Sequence, residues 1–100
     1  MRVGITGSRS FINYDKMVEI LQFMPITEIV NRGNIGTEIL AEQYGREHTI
    51  FTRVVKDQSD DDFVKYCNAL VIFWDGKSKG THKIYLTAQK FKVPITIVWI

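Results

Sequence analysis

The sequence predicts an α/β fold: a doubly wound parallel sheet of five strands in the order 3-2-1-4-5, with helices on both faces. Three observations carry that prediction. A short apolar run, a glycine-bearing polar loop and a stretch with helical periodicity follow one another repeatedly along the chain. Ala69 to Trp74 is an unbroken apolar run, as expected of a strand covered on both faces at the centre of a parallel sheet. At 100 residues with 45% hydrophobic composition, the chain fills one domain and buries a core without staples.

Arg2 to Thr6 reads as the first strand and runs into Gly7-Ser8-Arg9-Ser10. A helix follows, because Met17, Ile20, Leu21 and Met24 fall at helical spacing behind Asn13 as N-cap, and Pro25 closes it. Thr27 to Val30 is the second strand and Asn31 to Gly36 the second loop. Thr37 to about Glu47 forms a helix burying Leu40, Ala41 and Tyr44, and Thr49 to Val55 is the third strand. The polar stretch Lys56 to Asp62 leads into a short helix reaching about Tyr66. Its run Asp60-Asp61-Asp62 suits the positive end of the helix dipole. After the central strand, Asp75 to Thr81 is a loop, Lys83 to Phe91 a helix with Ile84, Ala88 and Phe91 inward, and Ile95 to Ile100 the last strand. Alternating strands and helices require right-handed parallel crossovers, which makes the sheet Rossmann-like.

Several function classes are excluded or disfavoured at this level. The lone Cys67 forms no internal disulfide, and His48 and His82 stand too far apart in the chain for a closed zinc site, so no metal and no cofactor is expected. No apolar run reaches about 18 residues and the N-terminus lacks a signal-peptide core, so a cytoplasmic protein without membrane contact is expected. A net charge of +2 is too small to indicate nucleic-acid binding from bulk charge.

In a doubly wound sheet, ligands bind outside the carboxyl ends of the strands at the switch point. Three glycine loops are expected there: Gly7-Ser8-Arg9-Ser10, Gly33-Asn34-Ile35-Gly36-Thr37 and Gly76-Lys77-Ser78-Lys79-Gly80-Thr81. Glycines let backbone amides approach a phosphate, and hydroxyls such as Ser8, Ser10, Ser78 and Thr81 add donors near helix N-termini. The same glycines also serve simple tight turns. Arg9, Arg32, Lys77, Lys79 and His82 make this rim positive, whereas the acidic run at Asp60 is expected at some distance. Glu38 and Asp75 are the carboxylates of the rim and hence the catalytic candidates. Glu38 equally suits the first turn of a helix, and Asp75 a turn. His48 is expected to cap the second helix. The second loop lacks the lysine of a phosphate-hydrolysing P-loop.

Two stretches together, Val3 to Phe11 and Phe73-Trp74-Asp75-Gly76-Lys77-Ser78-Lys79-Gly80-Thr81, resemble the YspA-like branch of the SLOG superfamily. That group also holds the DprA/SMF proteins and the Lonely Guy cytokinin-activating enzymes. The resemblance implies a nucleotide-derived ligand such as ADP-ribose, a ribose phosphate or a cyclic nucleotide, held by a sensor or sequestering protein. The chain departs from the branch in its middle motif, where Arg32 stands in place of a glycine, and in lacking a glycine-rich insert before the central strand. Its compactness suits a phage-encoded or mobile-element version. Other readings are an N-glycoside phosphoribohydrolase using Glu38 or Asp75, although Ile84 stands where that motif has glutamate, and a module for single strands or a protein partner, with a homodimer through helix faces or the Trp99 edge.

Overall fold

A computed structural model describes residues 1–100. Its elements are β1 (Arg2–Gly7), α1 (Tyr14–Leu21), β2 (Glu28–Asn31), α2 (Thr37–Glu47), β3 (Phe51–Val54), α3 (Asp60–Tyr66), β4 (Ala69–Trp74), α4 (Lys79–Lys90) and β5 (Ile95–Trp99). The five strands form one sheet in the order β3-β2-β1-β4-β5, and every pairing is parallel. The architecture is therefore the doubly wound, Rossmann-like fold that the alternation of elements predicts. No helix is long and apolar enough to cross a membrane.

Alternate side chains of the inner strands feed two cores. Val3, Ile5, Ile29, Val71 and Phe73 point to the face covered by α1 and α2, where Met17, Leu21, Ala41 and Tyr44 meet them. Val30, Leu70 and Ile72 point to the other face, covered by Phe63, Val64, Ile84 and Ala88 of α3 and α4. Val71 and Leu70 thus go to opposite cores, which is why β4 has no polar residue to interrupt its apolar run.

The structure shifts some boundaries, each for a local reason. Asn13 caps α1 by accepting from the Lys16 amide at 3.1 Å. That helix ends at Leu21, before Pro25, because the Met24 amide turns back onto the Leu21 carbonyl at 3.0 Å. β3 starts at Phe51 because Thr49 sits in the left-handed region at φ 55°. The largest difference is at α4, which begins four residues before Lys83, at Lys79. The Asp75 carboxylate accepts from the amides of Lys77 at 2.8 Å and Ser78 at 2.9 Å, folding the loop tightly enough for the helix to start at once. Gly80 and Thr81 consequently belong to the first turn of α4, not to the loop. His48 ends α2 as expected, with its Nδ1 2.9 Å from the Tyr44 carbonyl oxygen.

The glycines of these connections are not equivalent. Gly36 sits at φ +78°, and a Cβ there would collide with the Arg9 backbone, whereas a Cβ on Gly80 meets nothing within 4 Å. Gly36→Ala is therefore expected to lower stability by about 1 to 3 kcal/mol, the cost of a strained backbone. Gly80→Ala should be neutral or raise it by up to about 1 kcal/mol, the helix preference for alanine. Urea midpoints at unchanged m-value measure both.

Candidate functional site

The carboxyl ends of β1 and β4 lie side by side where the sheet changes its direction of growth. Gly7 lets the two strands meet closely, since a Cβ there would collide with the Phe73 carbonyl oxygen. Ser8 then joins four segments. Its amide donates to the Phe73 carbonyl at 2.8 Å, and its hydroxyl accepts from the Asp75 amide at 3.2 Å. Its own carbonyl accepts from the Thr37 hydroxyl at 2.9 Å, at the start of α2. Ser8 and Thr37 are buried, so these hydroxyls build the rim and do not face outward.

Around this junction opens a cleft of about 270 Å³. The end of β1 contributes Thr6 and Gly7, the following loop Arg9, and the second loop Arg32 and Asn34. Glu38 comes from α2, Asp60 from α3, and Ser78, Gly80, Thr81, Lys83 and Ile84 from the start of α4. Segments far apart in the chain thus converge on one polar space. As the first residues of their helix, Lys79, Gly80 and Thr81 have amides without an intrahelical acceptor, and no other protein group accepts from them.

The charges of the cleft fall into two sets. Glu38 is only 2% exposed and accepts from three donors: the Thr6 hydroxyl at 3.2 Å, the Arg32 amide at 2.5 Å and the Asn34 side-chain amide at 2.9 Å. Arg32 turns its guanidinium to Asp60 at 2.7 Å, to the Gln58 carbonyl at 3.3 Å and over the Phe63 ring. Those groups hold one another. Arg9 and Lys83 have no carboxylate within ion-pair distance, and both side chains are exposed. The free positive charge of the cleft is theirs.

Compared with family models, curated proteins and solved structures, the chain matches none.

Of the residues the sequence singles out, the cleft gathers Gly7, Arg9, Arg32, Asn34, Glu38, Ser78, Gly80 and Thr81. The others lie elsewhere. Gly33 packs by Val54 and Lys56, and Gly36 backs onto the Arg9 main chain. Ser10 and Asp75 line a different groove of about 500 Å³ with Phe11 and Trp99, while Gly76, Lys77, Lys79 and His82 line a third of about 260 Å³. Glu38 and Asp75 therefore do not share a cleft. The amides of Lys77 and Ser78 hold the Asp75 carboxyl below its usual range, against a smaller upward push from burial. Asp75 thus stabilises the fold above the ordinary carboxylate pKa of about 4, and that contribution is lost as the pH falls through its lower folded value.

Two expectations need correction. The acidic run is not remote: Asp60, the first residue of α3, enters the cleft and neutralises Arg32 of the second loop. Lys83, which lies outside the glycine loops and has no local pattern to single it out, lines the cleft from the second turn of α4.

Glu38→Gln tests whether the Glu38 carboxylate is an integral acceptor. Glutamine would set an NH₂ group against a donor in a buried site, so the variant should lose about 1 to 3 kcal/mol in chemical denaturation, the cost of an unpaired buried polar group. Stability equal to wild type would show that the three donors do not depend on the carboxylate.

Proposed function

We propose that this cleft binds the phosphate of a nucleotide-derived small molecule, in the class of ADP-ribose, ribose phosphates and cyclic nucleotides, and that the protein acts as a sensor or sequestering protein for it. One observation carries the reading: the unpartnered amides of Gly80 and Thr81 and the unpaired cations Arg9 and Lys83 converge on one space at the switch point. Backbone amides at a helix start offer an anion aligned donors with a favourable dipole, and a guanidinium grips phosphate through two hydrogen bonds. The resemblance of the first and third glycine loops to SLOG proteins agrees with a ligand that carries ribose as well as phosphate.

The cleft also explains what its carboxylates do. Glu38 positions the second loop through Arg32 and Asn34, and Asp60 draws the Arg32 side chain to one wall. Neither carboxylate is paired with Asp75 in an acid and base arrangement across this space. Binding without turnover is the chemistry this geometry supports best.

Calorimetry with AMP, ADP-ribose, ribose 5-phosphate and cyclic AMP tests the proposal. At least one should bind, and Arg9→Ala should weaken it by about 1.5 to 3 kcal/mol, the range for a hydrogen bond to a charged group. Gly80→Val should fold normally, because space is open there, yet lose binding as its side chain narrows the mouth of the cleft. The ligand should be recovered intact. Affinity unchanged in both variants would remove the cleft as the site.

A further inference from the structure

Beside the cleft, the structure stacks Trp99, Trp74 and His82, with the Tyr85 ring 6.1 Å from Trp74 and 6.4 Å from His82. Trp74 ends β4 and Trp99 ends β5, and the two are register partners in neighbouring parallel strands. Their ring centroids lie 5.4 Å apart at an interplanar angle of 23°. The first turns of α4 bring the His82 ring to 5.5 Å from Trp74 at 13°. These are offset-stacked separations. The Trp74 indole N–H donates to the Ser78 carbonyl at 3.2 Å, which fixes the rotation of the ring. Trp99 is 62% exposed and His82 is exposed, so this ordered column presents aromatic surface to solvent.

The groove of about 260 Å³ against this column is lined by Trp74, Gly76, Lys77, Ser78, Lys79 and His82. Ser78 lines the phosphate cleft as well, so groove and cleft meet at the start of α4. Lys77 and Lys79 are exposed at the groove and have no carboxylate partner. Flat rings framed by free cations suit a planar aromatic group that itself carries negative charge. A second copy of this chain would set lysines against lysines across a two-fold contact.

We infer that this groove is a nucleobase subsite in which the base stacks on His82, the outer ring of the column on this side, while its phosphate occupies the adjoining cleft. The inference rests on the cleft being the phosphate site, and it narrows the ligand from sugar phosphates to nucleotides. His82 is then a specificity residue: it distinguishes a ligand with a base from the same ligand without one.

The test titrates the protein with AMP, ribose 5-phosphate and adenosine, followed by calorimetry and by tryptophan emission, which reports on Trp74 and Trp99. AMP is expected to bind about tenfold more tightly than ribose 5-phosphate, within the range measured for stacking one base, and only ligands carrying a base should quench the emission. His82→Ala should bring AMP close to ribose 5-phosphate without changing the latter, and His82→Phe should restore the difference. Equal affinities in the wild type, or a preference for AMP that survives in His82→Ala, would overturn the base subsite while leaving the cleft in place. Quenching by adenosine with no binding of ribose 5-phosphate would overturn the cleft and keep the base site. Binding of none of the three would overturn both.

Discussion

Ser8 is the joint on which the rim of the sheet depends. Within one residue, its amide, carbonyl and hydroxyl meet the end of β4, the start of α2 and the loop before α4. Such contacts bring main chain against main chain, and this is why Gly7 has no side chain facing Phe73 and Gly36 none facing Arg9. The glycines of the first two loops therefore serve main-chain packing first. They set the distance between the walls of the cleft.

That joint also organises the electrostatics. With the second loop held against α2, Glu38 is buried under three donors, and Arg32 swings outward to meet Asp60. Both arrangements satisfy charges internally and leave them little to offer a ligand. Arg9 and Lys83, opposite them, are satisfied by nothing in the protein, and neither are the first amides of α4. The contrast between satisfied and unsatisfied groups, more than the number of basic residues, is what supports the proposed anion site.

Much of the fold was legible in the sequence because it follows from periodicity. The alternation of apolar runs with helical patterns implies parallel crossovers, and the strand order 3-2-1-4-5 is the arrangement the structure has. Ala69–Trp74 was readable to the residue and the start of Thr37–Glu47 likewise, since one is a continuous apolar run and the other starts behind a glycine with apolar residues on one face. The start of α4 was not, because Gly80 looks like a loop residue until Asp75 is seen holding the amides that begin the helix. Within the site, glycine spacing put Gly7, Gly80 and Thr81 on one rim, and in the structure they line one cleft. That spacing could not separate hydroxyls that build the rim, as on Ser8 and Thr37, from groups that face the cleft, because burial is decided by tertiary approach. The Arg32 to Asp60 pair and the position of Lys83 depend on how α3 and α4 cross the sheet, which no local pattern encodes. The column of Trp99, Trp74 and His82 had one sequence signal, a tryptophan near the end of each of two adjacent strands.

The central claim is that a phosphate-bearing ligand is held at the start of α4 and by the first loop. Amide chemical-shift mapping by heteronuclear NMR during titration with AMP tests it most directly. The account predicts saturable shifts that are largest for Gly80, Thr81 and Arg9, with residues of β3 and the far end of α2 unmoved. Shifts centred on the groove of Ser10, Phe11 and Ile12, or no saturable shift in the first turn of α4, would contradict it.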